Sequence, residues 1–223
     1  MKIAKTLALA FLAYGVCMLM GCSTAAKASS SSTADDWRPL FDGRTLDGWQ
    51  QAGFPGEGQA RVEGDTLLLP AGDMLTGLKC QRELPTSGYE IALEARRVSG
   101  GDFFCGVTFP VHDSSASLIL GGWGGGVCGV SCIDGRDASE NETTSYRPFE
   151  RGRWYRVRLK VAGGSIEAWL DDEEIVSVET EGKRIATRPD IDLCRPFGLA
   201  TWRTSGALRS VRWRPVGEAA GGK

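Results

Sequence analysis

The stretch WYRVRLKV, residues 154–161, alternates apolar and basic side chains at every position after its first residue. Tyr155, Val157 and Leu159 share one side of this alternation, and Arg156 and Arg158 share the other. Successive side chains of a β-strand point to opposite faces, whereas an amphipathic helix repeats every three to four residues. The stretch therefore predicts an antiparallel strand with one face on a core and the other in water.

The same period of two recurs along the chain. YEIALEARR (89–97) repeats it, and SIEAWLDDEEIVSV (165–178) reads as a hairpin that turns at Asp171-Asp172. No window of 12 residues after the N-terminal segment has a helical period, and only a short helical turn near residues 140–144 or 183–185 is allowed. Ten or more short strands in one domain predict an all-β fold, a β-sandwich or jelly roll. The further strand candidates are Thr66–Leu69, Phe103–Phe109, Ala116–Leu120, Val127–Ile133, Phe197–Trp202 and Leu208–Arg214.

The N-terminal residues have the pattern of a targeting signal. Lys2 and Lys5 precede an apolar stretch of 14 residues, Leu7–Met20, which is short for a membrane span. The following Leu-Met-Gly-Cys resembles the lipobox of bacterial lipoproteins, which implies cleavage before Cys22 and lipidation of that residue. Because Ser23 follows Cys22, we expect a cell-envelope protein anchored in the outer membrane. The alternative is an ordinary secretory signal with an incidental cysteine.

Composition divides the chain into four parts. Residues 1–21 are predicted to be the signal peptide, 22–35 a flexible polar tether reaching about 20 Å, 36–216 the folded β-sandwich, and 217–223 a disordered tail. Removing Lys2 and Lys5 with the signal changes the formal charge from −2 to −4. No basic stripe stands out, so no nucleic-acid partner is expected. Membrane association is expected only through the lipid anchor.

A glycine-rich stretch, LILGGWGGGVCGVSCIDGRDASENETTS (118–145), contains a G-x-G-x-x-G match at Gly124, Gly126 and Gly129. A dinucleotide-binding loop of this type needs a helix at its last glycine, because the helix N-terminus binds the pyrophosphate. The residues that follow Gly129 form a β-like run instead. We therefore expect residues 121–126 to lie between or within strands, with no helix beginning at Gly129.

Cysteine and histidine content narrows the possible chemistry. Five of the seven cysteines fall in the predicted domain: one disulfide is possible there, and its partners cannot be chosen from sequence. The single histidine, His112, excludes a three-histidine zinc site and is expected in a surface turn. What remains is carboxylate, amide and aromatic chemistry.

Carboxylate and amide groups are concentrated in the segment after the glycines, at Asp134, Arg136, Asp137, Glu140, Asn141 and Glu142. Their oxygens suit a divalent cation such as calcium, hydrogen bonds to sugar hydroxyls, or acid–base catalysis. The alternative is a solvated acidic loop. Trp123 and Trp202 are the two tryptophans expected to reach a ligand cleft, since sugar faces stack on aromatic rings, and Arg203 adjoins the second of them.

The opening PLFDGRTLDGW (39–49), together with FERGRWYRVRLKV (149–161), IEAWLDDEEI (166–175) and PFGLATW (196–202), resembles a large bacterial family of 3-keto-disaccharide hydrolases, or 3-keto-glucoside lyase-hydratases. The resemblance extends over residues 37–214 and implies a concanavalin-like jelly roll. Within that family, the sequence resembles a branch related to family 16 glycoside hydrolases. The carboxylate motif of that branch, E-[ILV]-D-x-x-E, is absent, so no catalytic residue is transferred from it.

The resemblance implies an exported saccharide-active protein that cleaves 3-keto-glycosides by elimination and hydration. The base is then expected to be Asp134, Asp137 or Glu140, with Arg136 or a divalent cation stabilising the enolate. Trp123, Asn141, Glu142, Trp202 and Arg203 are the predicted saccharide contacts. We expect the loop 134–144 to border the cleft; the alternative places it in solvent on the other side. A carbohydrate-binding jelly roll without turnover, or a structural interaction domain, remain the competing interpretations.

Overall fold

The computed structural model describes residues 36–217, nearly all of them in strands, turns and extended segments. One short 3-10 helix, Pro189–Cys194, is present among the described residues. The strands are β1 Arg38–Pro39, β2 Trp49–Gln51, β3 Arg61–Glu63, β4 Thr66–Leu69, β5 Leu75–Cys80, β6 Tyr89–Ser99, β7 Cys105–Val111, β8 Ser114–Gly122, β9 Val127–Ser131, β10 Ser145–Tyr146, β11 Tyr155–Ala162, β12 Ser165–Leu170, β13 Glu173–Glu179, β14 Gly198–Trp202 and β15 Ser205–Pro215.

The strands form two antiparallel sheets. The eight-stranded sheet has the order β13-β12-β11-β6-β15-β4-β3, with β1 added along β15. The seven-stranded sheet has the order β10-β9-β8-β7-β14-β5-β2. The predicted β-sandwich of jelly-roll type is confirmed, and the residues 154–161 that first indicated it form β11, paired to β6 on one side and to β12 on the other.

The main core lies between the sheets. Tyr89, Phe104, Phe109 and Phe197 are among its fully buried side chains. Burial of the aliphatic and aromatic side chains from both inner faces supplies the main stabilisation of such a sandwich. The polar group of the buried Trp49 has a partner, since its Nε1–H donates to the Leu40 carbonyl at 2.9 Å.

The outer faces of the two sheets differ. Strands β6, β11 and β12 alternate buried with exposed or half-buried residues, so the outer face of the eight-stranded sheet meets water. Strands β7, β8 and β9 are buried almost throughout. A second cluster, which includes Phe54, Phe103, Ala138 and Ile191, covers part of the outer face of the seven-stranded sheet. Side chains carried by the segments of this second cluster therefore lie directly above the seven-stranded sheet.

The structure tests three predictions made from the sequence. The glycine-rich residues 121–126 run from the end of β8 into the turn before β9, and Gly129 lies within β9, which confirms that no helix begins there. Residues 140–144 and 183–185 form turns and extended chain, so the helical turns allowed there are wrong. All five cysteines of the described residues are buried and unpaired, and no disulfide forms among them.

His112 occupies the exposed β7–β8 turn, as expected for a surface turn residue. The predicted signal peptide, Cys22 and the tether lie outside the described residues, as does the tail beyond residue 217, and they stay predictions. No helix among residues 36–217 is long and apolar enough to cross a membrane.

Candidate functional site

A cavity of about 220 Å³ opens on the outer face of the seven-stranded sheet. Strands β5, β8, β9 and β14 supply its floor and one side. The loop before β7, the β8–β9 turn and the 3-10 helix supply the remaining walls. Its lining residues are Leu75, Asp102, Phe103, Ser117, Ile119, Trp123, Ser131, Arg188, Asp190, Ile191 and Trp202.

Two serines form the polar part of the floor. Ser117 of β8 and Ser131 of β9 are partners across the strand pair, and both are buried. The Ser117 hydroxyl is hydrogen-bonded to the Thr108 hydroxyl at 2.9 Å, and the Ser131 Oγ accepts the Ala138 N–H at 2.9 Å. The floor thus offers small side chains whose hydroxyls already have partners.

Arg97 anchors the glycine-rich turn beside the cavity. Its Nη2 donates to the carbonyl oxygens of Gly125 at 2.9 Å and Gly121 at 3.3 Å. A Cβ on Gly121 would lie 2.5 Å from this nitrogen, and Gly121 has a φ of +76°, so glycine is required there. Burial lowers the pKa of the Arg97 guanidinium, and the nearby Asp102 opposes that effect. The glycines therefore let an arginine hold the turn from below.

The turn presents Trp123 to the cavity. Trp123 is 44% exposed and has a φ of +47°, in the left-handed region that bulky residues rarely adopt. Arg203, beside Trp202, has a φ of +45°. Strained backbone of this kind persists where surrounding structure enforces it and is frequent at ligand sites. The indole of Trp202 lies 6.5 Å from the Phe103 ring, between centroids, so aromatic rings line one side of the cavity.

Asp102 joins this aromatic side to the glycine-rich turn. Its Oδ1 accepts the Phe103 N–H at 2.7 Å and its Oδ2 accepts the Gly124 N–H at 3.2 Å. Its own N–H donates to the Thr204 hydroxyl at 2.9 Å. Both carboxylate oxygens of Asp102 are therefore engaged with the backbone.

Another part of the cavity lining carries a cation between two carboxylates. The Arg188 Nη1 donates to Asp137 Oδ2, and its Nε lies 3.3 Å from both oxygens of Asp190. Burial opposes the charge on Arg188, but Asp190 and then Asp137 outweigh it, so the pKa of the guanidinium is raised. The Arg188 Nη2 has no hydrogen-bond partner among the described residues. One face of a permanently charged fork is thus available to a ligand.

Backbone pairing positions this wall. Cys132 and Ala186 exchange hydrogen bonds between their backbone groups, and Asp134 Oδ1 accepts the Arg184 N–H at 2.8 Å. Pro189 then begins the 3-10 helix, where a missing N–H costs nothing. The segment around residue 186 is thereby tied to the end of β9, which places Arg188 and Asp190 over the sheet.

Cys132 is a thiol rather than a nucleophile in this arrangement. Its Sγ–H donates to Asp137 Oδ1 at 3.3 Å. Burial, and then the hydrogen bond to Asp137, raise the pKa of the thiol to about 11. A thiol that holds its proton to this pH contributes little thiolate at neutral pH.

The sequence-predicted site residues divide into two groups. Trp123 and Trp202 line the cavity, and Asp137 contacts it indirectly through Arg188. The loop 134–144 therefore reaches the cavity lining through Asp137, which contacts Arg188, and through the Ala138 N–H, which donates to Ser131. Of the described residues that line the cavity, none is one of the remaining predicted residues: Asp134, Arg136, Glu140, Asn141, Glu142 and Arg203.

Most of those remaining residues hold loops together. The Asn141 amide donates to the carbonyls of Val130 and Asp137, each at 2.8 Å. Glu142 pairs with Lys183, and Arg203 Nε donates to the Asp73 carbonyl at 3.0 Å. Glu140 and Arg136 are exposed. The geometry gives no support to Asp134 as a base, because it does not line the cavity, or to Asn141 as a sugar contact, because its amide is engaged within the protein.

Sequence reasoning missed Asp102, Arg188 and Asp190. Each lies in a short irregular segment, SGGDFF (99–104) or TRPDID (187–192), with no periodic pattern around it. The glycine pair before Asp102 and the proline between Arg188 and Asp190 mark tight turns. These glycines and this proline predict a turn in the chain, but they do not predict which cavity the turn lines.

No metal site forms among residues 36–217, where no three His, Cys, Asp or Glu side chains come together to hold an ion. Arg188 is the cationic group that the cavity does provide.

The match to a known protein family covers nearly all of the residues that the structure describes. A family model described as a 3-keto-alpha-glucoside-1,2-lyase-like domain matches residues 36–216. A search of curated proteins found no sequence match.

Similar solved structures share the fold at low sequence identity. A predicted glycosyl hydrolase from Parabacteroides distasonis ATCC 8503 has a TM-score of 0.53 at 13% identity, covering 82% of this chain and 95% of its own. A Bacillus subtilis protein of unknown function with a galectin-like fold has a TM-score of 0.56 at 10% identity, covering 82% and 96%. The Crh5 transglycosylase in complex with NAG has a TM-score of 0.54 at 8% identity, covering 83% and 86%.

Proposed function

The chain belongs to the family of 3-keto-alpha-glucoside-1,2-lyase-like domains, and from this premise we propose that its cavity cleaves the glycosidic bond of a 3-keto-glycoside. The observation that carries the proposal is the pairing of Arg188 with Asp190 in the lining of the cavity that also contains the aromatic residues. A base and a cation next to each other suit a ketone and the acidic C–H beside it.

The reaction requires two groups from the protein. A ketone at C3 acidifies the proton at C2, and a base removes that proton while negative charge develops on the C3 oxygen. The enolate then collapses: the ketone at C3 reforms, a double bond forms between C1 and C2, and the C1–O bond breaks, while the leaving-group oxygen takes a proton from the protonated base or from water. Addition of water across that double bond completes a net hydrolysis. Stabilising the charge on the C3 oxygen is the step in which a preorganised cation contributes most.

Asp190 is the better placed of the two cavity carboxylates to act as base. Both oxygens of Asp102 accept backbone N–H groups, whereas Asp190 meets only the long contacts to Arg188 Nε. The proton at C2 and the oxygen at C3 are on adjacent carbons. Asp190 and the open Nη2 of Arg188 can therefore act on them from the same wall, with Asp137 holding Arg188 in orientation.

The aromatic side supplies the substrate platform. Trp123 and Trp202 offer ring faces on which the apolar face of a sugar stacks, and Phe103 supports Trp202. A cavity of about 220 Å³ lies below the usual range for drug-sized ligands, about 300–1,000 Å³. We therefore assign it to one sugar ring, with the leaving group outside.

Saccharide binding without turnover is the second candidate. It is favoured by the engagement of most polar groups in the cavity, since both serine hydroxyls and both Asp102 oxygens already have protein partners. In that case the aromatic side would bind sugar, and Asp190 would serve only to fix Arg188.

Incubating the purified protein with 3-keto-trehalose or another 3-keto-glucoside, and measuring released sugar, separates the two candidates. Loss of an acid–base group costs roughly a hundredfold in turnover. We expect that loss for Asp190→Asn with little change in melting temperature. Asp113→Asn, an exposed residue of the β7–β8 turn, is the matched control and should retain full activity.

The outcomes are distinct. Full activity of Asp190→Asn would remove Asp190 from the base role while leaving cleavage in place. Absence of product from the wild-type protein, with measurable affinity for the same sugar, would favour the binding module. Absence of both would leave neither candidate standing.

A further inference from the structure

A second cavity, of about 340 Å³, lies on the outer face of the eight-stranded sheet. It is on the opposite side of the sandwich from the first cavity and shares no lining residue with it. Strands β6, β11, β12 and β15 form its floor, and Trp37 closes one end. We refer to it as the Arg–Trp groove.

The groove exists because one small residue interrupts a row of large ones. Trp169, Arg158, Ala92 and Arg212 are cross-strand neighbours from β12 through β11 and β6 to β15. The row extends over three strand spacings, about 14 Å. Ala92 leaves its middle open, and a register shift between Arg209 and Arg212 marks a bulge at the β15 end.

The charges around the groove are paired, with one exception. Glu90 has a side chain only 2% exposed and binds both Arg158 and Arg214. The two acids that line the groove, Glu94 and Asp172, pair with Arg209 and Arg156. Arg212 is exposed and has no acidic partner among the described residues. It is thus an uncompensated cation in the wall of the groove.

Aromatic rings stand at both ends of the row. The Arg158 guanidinium lies 3.7 Å from the Trp169 ring centroid, and Arg214 and Arg212 lie 4.5 and 5.0 Å from that of Trp37. These stacks fix the rings and hold the arginines in place. The groove therefore combines preordered aromatic surface with a guanidinium fork that matches the geometry of a carboxylate.

We infer that the Arg–Trp groove binds an acidic saccharide, with the carboxylate of a uronic acid residue on Arg212 and sugar rings against Trp37 and Trp169. This goes beyond the proposed cleavage, because it assigns a separate binding site on the other face of the protein. A neutral sugar would leave Arg212 unused. An extended nucleic acid or membrane surface would need many uncompensated cations, whereas those here are largely paired.

The test is binding of an oligogalacturonate to the full-length protein, measured by isothermal titration calorimetry beside a neutral malto-oligosaccharide. The loss of a hydrogen bond to a charged group weakens binding by at least about tenfold. We expect Arg212→Gln to weaken oligogalacturonate binding at least about tenfold. Arg44→Gln makes the same change in net charge at an exposed site outside the groove and should stay within about twofold. Trp169→Leu should weaken binding without removing the cation.

Other outcomes overturn the inference. They are equal losses from Arg212→Gln and Arg44→Gln, equal affinity for the neutral oligosaccharide, or binding of anionic vesicles or single-stranded DNA in place of oligogalacturonate. Circular dichroism spectra of the variants establish that each is folded. Activity on a 3-keto-glucoside should be unchanged in Arg212→Gln, so this test stands apart from that of the cleavage reaction.

Discussion

The two sheets of the sandwich share a core but use their outer faces differently. In the eight-stranded sheet, many outward residues are long and charged, and most of those charges pair across strands, as Glu90 does with Arg158 and Arg214. In the seven-stranded sheet, outward positions include Gly77, Gly106 and Gly198. Small residues there admit a second layer of chain, and the candidate active site lies within that layer. The comparison shows that a second layer of chain, and a site within it, can form on a sheet face only where the outward side chains are small.

The largest effect on the free energy of unfolding is expected when a side chain is enlarged on each outer face. A Cβ at Gly198 would lie 2.6 and 2.7 Å from the carbonyl oxygens of Cys194 and Leu78. We expect Gly198→Ala to cost about 3 kcal/mol, at the upper end for overpacking. Ala92→Val adds more volume but points into the open Arg–Trp groove, so its cost should stay within about 0.5 kcal/mol. Urea unfolding followed by circular dichroism measures both, and similar costs would remove the distinction between the faces.

A second comparison tests the charged face alone. Breaking a buried ion pair costs about 3–5 kcal/mol. Because Arg158 and Arg214 are partly exposed, we expect about 2 kcal/mol for Glu90→Gln. Glu63→Gln breaks a pair with Arg61 in which both side chains are more than half exposed, and should cost less than about 0.5 kcal/mol. Both values come from the same urea unfolding assay. Equal costs would mean that burial of Glu90 adds nothing to the pair.

The smallest expected effect is a loss of stability at alkaline pH. All five described cysteines lie in or beside the seven-stranded sheet. Burial raises the pKa of Cys128 and Cys132 to about 11 and that of Cys194 to about 12, from an ordinary value of 9.0. A thiol with a raised folded pKa stabilises the fold fully below its unfolded pKa, and this contribution is lost as the pH rises toward the folded value.

We therefore expect each such thiol to lower the unfolding free energy by about 1 kcal/mol between pH 9 and pH 10, just above its unfolded pKa. Urea unfolding at several pH values measures this slope. Cys194→Ala should make the slope shallower, whatever it costs at pH 7. Stability that is constant across this interval, or a slope unchanged in the variant, contradicts the assignment to thiols.

The fold was predictable because alternation is a local property. Tyr155 through Val161 alternate over one unbroken run, and they form a strand with the expected inner and outer faces. The seven-stranded sheet gave a weaker signal, because both faces of β7, β8 and β9 are buried and polar residues no longer mark the outside.

The site was predictable only in its aromatic part. Trp123 stood out among glycines and Trp202 at the end of a strand, and both line the cavity. Asp102, Arg188 and Asp190 come from segments about 85 residues apart, brought together by strand order and by the backbone pairing of Cys132 with Ala186. Such proximity depends on tertiary register, which a single sequence does not encode in any local pattern. The composition of the acidic loop 134–144 predicted a site there, yet most of its polar groups stabilise the loop itself.

The exposed position of Trp123 gives the protein an optical reporter of its own cavity. It is the most exposed tryptophan among the described residues, at 44%, since the other six are buried or half-buried. Its emission should therefore dominate the red edge of the fluorescence spectrum and respond most strongly to collisional quenchers such as acrylamide. A molecule that fills the cavity would shield this indole and shift the spectrum to the blue, so occupancy can be followed without a label and without knowing in advance which sugar to supply.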